Sequence, residues 1–277
     1  MNAPLEGISR LCFGASYAVA LALELAYLLW PQRLVRLLST LFGAAGLLAH
    51  TVFLAVQRPT LSSQYGSLLL LAWVLAVFYL YGSLHHRRFA WAVFVLPLVL
   101  ALVALAGRFA PAPDSQRPPW SDTLAALTGE RFWGAVHGGL ILLAAVGVCV
   151  GFLASVMYLI QARRLRAKVA PSQGIKLLSL ERLEAMNRRA VNLAFPLLTV
   201  GLLVGVALMA QYGGVAREWT AGKVVGTVGL WLAFVVLLYL RYGLHLRGRH
   251  LALGTIAAFV VMLATLAASH QFAEALP

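Results

Sequence analysis

About eight long apolar runs constrain this chain more than any other feature of its sequence. They read Ser9 to Trp30, Val35 to Val56, Tyr65 to Leu84, Phe89 to Ala106, Trp133 to Gln161, Val191 to Tyr212, Val224 to Leu244 and Leu251 to His270. A helix needs roughly 20 apolar residues to cross the hydrocarbon core of a bilayer, and each run is close to that length. Of the 277 residues 61% are hydrophobic and only 11% charged, a balance that no water-soluble domain tolerates on its surface. The expectation is an all-α, polytopic integral membrane helical bundle of about eight transmembrane helices. Pro97 interrupts the fourth run and predicts a kink there.

A net charge of +13 would point to nucleic acid in a soluble protein. Here the positive residues lie in short loops between spans, where the positive-inside rule accounts for them, and no nucleic-acid partner is expected. Alternate loops carry Arg33 and Arg36, then Arg87 and Arg88, then Arg163, Arg164, Arg166, Lys168, Lys176, Arg182, Arg188 and Arg189, and finally Arg241, Arg247 and Arg249. The opposite side holds only Arg10, Arg58, Arg108, Arg117, Arg131, Arg217 and Lys223. The first set therefore faces the cytoplasm, and both termini lie outside it. Glu6 precedes Arg10 with no basic leader, so the first span reads as retained.

The chain reads as a single membrane domain, residues 1–277, with two long connections. Residues 107–131 hold Pro111, Pro113, Pro118, Pro119, Trp120 and both aspartates, too polar to cross, and form an outer loop. Residues 162–190 form a basic cytoplasmic loop. Within it Ser179 can cap a short helix, with Glu181 and Glu184 at the positive end of its dipole and Arg188 and Arg189 at the other. Leu177, Leu180, Leu183 and Met186 would give that helix an apolar stripe, so that it lies in the inner headgroup layer.

Several chemistries are absent from the sequence. Cys12 and Cys149 are far apart and sit inside spans, where they read as small packing residues. Without CxxC there is no thioredoxin-like pair, and without CxxCH the chain cannot attach c-type haem to itself. No Walker or Rossmann glycine pattern, no HExxH, no GxSxG and no pair of spaced carboxylates occurs, and the chain is expected not to be an enzyme. Glu24 is the one acid inside a span and reads as a carboxylate paired near Arg33 or Arg36.

The seven histidines divide by membrane side. His85, His86, His245 and His250 fall among cytoplasmic arginines. His50 lies in the outer half of the second span, His137 about one turn into the fifth from its outer end, and His270 closes the eighth at the outer surface. A buried imidazole in lipid needs a partner, and a lone one is more often satisfied by a hydrogen bond than by a metal. Three on one side change that balance. Neutral imidazole ligates haem iron, and His137 and His270 could bind it from opposite faces if the fifth and eighth helices are neighbours. Arg131, Arg217 and Lys223 are available on the same side for the two haem carboxylates.

From Tyr158-Leu159-Ile160-Gln161 onward a series of landmarks carries a family likeness. Arg163-Arg164-Leu165-Arg166-Ala167-Lys168, Ser179-Leu180-Glu181-Arg182-Leu183-Glu184 and Ala194-Phe195-Pro196-Leu197-Leu198-Thr199 follow in order. Then come Gly201, Gly205, Gly222-Lys223-Val224-Val225, Trp231 and Arg247-Gly248-Arg249. This order resembles the CcsA/CcmC-type cytochrome c assembly proteins, and within them the YpjD/HemX-like branch, over a core of about residues 50–270. The resemblance implies haem handling at the extracytoplasmic surface by histidines that flank an outer segment, a place that His137 and His270 match. His50 matches a transmembrane histidine. Haem-delivering members carry a WGxxWxWD motif between spans six and seven, where residues 211–223 keep only Trp219 and Lys223 as counterparts. The flat tryptophan surface is missing, as in the YpjD/HemX-like branch.

The resulting expectation is a multi-pass protein of the bacterial cytoplasmic (inner) membrane that binds or senses non-covalent haem b. It would assist cytochrome c maturation or haem homeostasis. His137 and His270 would be axial ligands, His50 a further cofactor residue, and Trp219, Lys223, Arg217 and Arg131 neighbours of the porphyrin. Lipid, haem and other cytochrome-assembly proteins are the implied partners. Two other readings stay open: a haem-free membrane scaffold or regulator of the same fold, and a small-solute or ion transporter that uses Glu24 and His50.

Overall fold

The computed structural model describes residues 10–57, 59, 63–85, 90–110, 129–168, 176–212, 221–246 and 248–268. Its helices are α1 (Arg10–Leu29), α2 (Arg33–Gln57), α3 (Gln64–His85), α4 (Ala92–Arg108), α5 (Glu130–Arg166), α6 (Leu180–Tyr212), α7 (Ala221–Leu238) and α8 (Arg249–Ala268). A π-helical turn, Tyr239–Gly243, extends α7. The chain is a polytopic membrane helical bundle: among the described residues, seven helices are long and apolar enough to cross a bilayer. The remaining one, α4, has 17 residues, which at about 1.5 Å per residue still approaches the ~30 Å hydrocarbon thickness. Leu11, Leu48, Leu193, Leu203, Val206 and Val225 are exposed on the outer faces, as lipid contact requires.

The described residues group into two compact units, the first holding residues 1–113 and 164–178 and the second residues 114–163 and 179–277. In the first, α1 packs on α2 and α4, and α3 packs on α2 and α4, closing a four-helix ring. Its core holds Phe13, Tyr17, Leu68, Leu75, Tyr79, Leu96 and Leu102. Glycines set the closest approaches. A Cβ on Gly46 would lie 2.9 Å from the Tyr17 ring, and one on Gly82 would run into the Trp91 indole. Helix α4 continues through Pro97 without interruption, because Val95, Leu96, Val99, Leu102 and Val103 bury one face of it against the unit's core. Proline removes one backbone bond, and that packing outweighs the loss.

In the second unit, α7 packs on α6 and α8. Phe152 of α5 stacks on Phe259 of α8 at 4.0 Å, and a Cβ on Gly147 of α5 would lie 2.8 Å from that of Ala194 on α6. Small residues that let backbones approach are the usual glue of membrane helices. Residues 180–190, expected as a separate helix in the headgroup layer, are instead the first third of a continuous 33-residue α6. No glycine or proline stands between Ser179 and Pro196 to stop it. Its buried stripe also differs from the expected one: Leu183, Asn187, Ala190, Val191, Ala194 and Leu198 face the core, the spacing of three and four that a straight helix imposes.

Candidate functional site

His137 lies two turns into α5 and is half-buried against α6. Its Nδ1 is 2.7 Å from the carbonyl oxygen of Gly201. A carbonyl only accepts, so Nδ1 carries the proton and Nε2 is the nitrogen that would carry a metal bond. Histidines that ligate metals nearly always donate their other ring N–H in this way, which fixes the ring and raises its basicity. One turn along α6, a Cβ on Gly205 would lie 2.8 Å from Cε1 of His137. Gly205 thus admits the ring, and Gly201 both anchors it and accommodates Ile141, 2.9 Å from where a Cβ would be. The donor chemistry at His137 fits an axial haem ligand.

His270, Trp219 and Arg217 lie outside the described residues. Arg131 occupies the first turn of α5 and Lys223 that of α7, and their side chains are likewise outside the description. Among the sequence-derived site residues, His137 and His50 therefore have a described environment, and they belong to different units. His50 is fully buried in the first unit. Its ring stacks on Phe13 at 4.1 Å with the planes 2° apart, and the Tyr17 hydroxyl is 3.4 Å from its Nδ1. In this packing His50 is a core residue of the first unit.

Glu24, expected to pair with Arg33 or Arg36, instead accepts a 3.0 Å hydrogen bond from Ser39. The Arg36 guanidinium sits over the Tyr27 ring, 5.4 Å from its centre. The carboxylate is turned into the bundle on the α2-facing side of α1, where Arg36 of α2 acts on it electrostatically without closing an ion pair among the described residues.

Sequence reasoning passed over Asn187. This residue is buried at the middle of the second unit's core stripe and donates to Gly151 O (3.2 Å), Ser155 Oγ (2.8 Å) and Thr255 Oγ1 (3.0 Å). Its Oδ1 accepts from Arg241 of the π turn at 2.7 Å. One amide thus joins α5, α6, α8 and the end of α7. An amide on the apolar face that begins at Leu183 was the available signal. Gly248, at φ +69°, lets the chain enter α8 while the Tyr158 hydroxyl stands 2.5 Å from where a Cβ would be. That explains the glycine in Arg247-Gly248-Arg249.

The model of the family described as cytochrome C assembly protein matches residues 61–270. His137 falls inside the match, His270 at its last position, and His50 before it. The cytochrome c biogenesis protein CcsA of Synechococcus sp. (strain JA-3-3Ab) is 26% identical over 302 residues, covering 86% of this chain and 85% of the relative. That of Synechococcus sp. (strain CC9605) is 24% identical and covers 95% and 93%. The protein of the same description in Chlamydomonas reinhardtii is 26% identical over 208 residues, 73% of this chain and 55% of the relative. No solved structure matches the chain.

Proposed function

Because this chain belongs to the cytochrome C assembly protein family, we propose that it handles haem at the outer face of a bacterial cytoplasmic membrane, with His137 as an axial ligand. The role is that of a non-enzymatic binder or sensor that assists cytochrome c maturation or haem homeostasis. The observation that carries the reading is the 2.7 Å contact between Nδ1 of His137 and the Gly201 carbonyl. It pre-sets the tautomer and holds the ring before any ligand arrives, which lowers the ordering cost of binding.

Bound haem b would supply an iron whose axial positions accept neutral imidazole nitrogen. His137 would hold the iron, with His270, which follows the last span in the sequence, as a second ligand. Arg131, Arg217 and Lys223 would balance the two carboxylates, and Trp219 would cover part of the ring. The long, uninterrupted α5 supports the sidedness. Its basic end, Arg163 to Arg166, would belong to the cytoplasm by the charge rule, and a helix of 37 residues, about 55 Å long, is long enough for His137 to reach the other surface.

Absorbance of the purified full-length protein tests this reading. The wild type, titrated with haem, is expected to develop a sharp Soret band, and His137→Ala to lose most of it while keeping its helical content. A wild type without a Soret band after haem addition would overturn the proposal.

A further inference from the structure

We propose that the first unit contains a proton relay that joins Glu24 to His50 through Ser39, Tyr79 and Tyr17. The reading is independent of haem binding. Ser39, Gly43, Gly46 and His50 follow one another on α2 at spacings of four, three and four, so they share one face of that helix. Each meets a polar group of a neighbouring helix. Ser39 Oγ is 3.0 Å from Glu24 Oε1 on α1. Gly43 has the Tyr79 hydroxyl of α3 where its Cβ would be, and Gly46 has the Tyr17 ring of α1, 2.9 Å from that position. The Tyr17 hydroxyl then reaches Nδ1 of His50 at 3.4 Å.

The two glycines thus admit two phenols to the α2 face that carries the serine and the histidine, over about 16 Å of helix within the ~30 Å hydrocarbon layer. Tyr17, Ser39, His50 and Tyr79 are fully buried and Glu24 nearly so. Among the described residues, the Tyr79 hydroxyl, Ser83 Oγ and Nε2 of His50 find no hydrogen-bond partner. Buried polar atoms without a fixed partner are costly, and they are what a relay needs, since each hydroxyl must turn between accepting and donating. Among the described residues the buried face of α4 is apolar, and Arg36 is the cation that acts on Glu24.

A proton taken up by the Glu24 carboxylate passes to Ser39 and on to Tyr79 and Tyr17. Each oxygen accepts one proton and gives up its own, directly or across one bridging water, and the last arrives at Nδ1 of His50. The carboxylate is regenerated, and no bond between heavy atoms changes. Beyond His50 the column is closed by Phe13, stacked on the imidazole, and by Phe53, 5.4 Å from Phe13. His50 therefore exchanges its proton with the side of the membrane that Glu24 faces.

The test uses full-length protein, labelled with ¹⁵N-histidine, in phospholipid nanodiscs. The rate at which the His50 ring N–H exchanges with water is read by NMR. Glu24→Gln, Tyr79→Phe and Ser39→Ala are each expected to slow it at least tenfold. Tyr81→Phe, the same change on an exposed face of α3, is expected to leave it unaltered. Unchanged helical content and an unchanged thermal unfolding midpoint confirm the fold of each variant, and if Tyr79→Phe fails to fold, Ser39→Ala decides by the same criterion. The proposal is overturned if the wild type exchanges as slowly as these variants, or if Tyr81→Phe slows exchange equally.

Discussion

His137 on α5 is anchored to the backbone of α6, its Nδ1 2.7 Å from the Gly201 carbonyl, and its ring fills the space that a side chain at Gly205 would need. Ring orientation, tautomer and helix spacing are therefore one structural feature rather than three.

Gly205→Ala places a methyl 2.8 Å from Cε1 of His137, tighter than side chains tolerate, so the ring must shift. Haem affinity is expected to fall about tenfold, which corresponds to ~1.4 kcal/mol. A Soret titration alongside circular dichroism checks this, and an unaltered affinity would detach the ring geometry from binding.

Asn187→Leu removes four hydrogen bonds and leaves the Arg241 guanidinium facing an apolar side chain. Interhelical hydrogen bonds in membranes average about 0.6 kcal/mol, and an abandoned buried partner adds to the loss. The variant is expected to be about 2–3 kcal/mol less stable in mixed-micelle unfolding. Equal stability would mean that Ser155, Thr255 and Arg241 find other partners at no cost.

Gly82→Leu forces the Trp91 indole out of its seat between α3 and α4. Overpacking of this kind costs about 1–3 kcal/mol. Tryptophan emission should shift to longer wavelength, by an amount abolished when Trp91→Phe is added. A shift that survives the second substitution would assign the signal to another indole.

Cysteine labelling tests the sidedness of α5. In a background with Cys12 and Cys149 replaced, Trp133→Cys is expected to react with an impermeant maleimide from the outside of intact spheroplasts. Ala167→Cys is expected to react only after permeabilisation. The opposite pattern would move His137 to the cytoplasmic face and remove the geometric basis for haem handling outside.

The spans were legible because each depends on local composition. Span one, read as Ser9 to Trp30, is the helix Arg10–Leu29, and span three, read as Tyr65 to Leu84, is Gln64–His85. Where the reading departed from the structure, the missing information was a contact. Residues 180–190 read as a surface helix because their charges were visible, whereas the partners of Asn187 were not. Glu24 read as paired near Arg33 or Arg36 because they are close in sequence; Arg36 does act on it, but its hydrogen bond comes from Ser39 on α2, which local sequence did not reveal.

Sequence by itself determined that this chain crosses a bilayer many times and which family it resembles, and its loop charges set the expected sidedness. Hydrocarbon thickness and the inward preference of Lys and Arg act on short stretches, so they leave their mark on consecutive residues. Only the tertiary structure decided what the polar residues inside those stretches do. His137 meets Gly201 across 64 positions of chain, Asn187 meets Thr255 across 68, and Tyr17 meets His50 across 33. Such partners are chosen by how helices pack, and packing depends on shapes that no single stretch of residues contains.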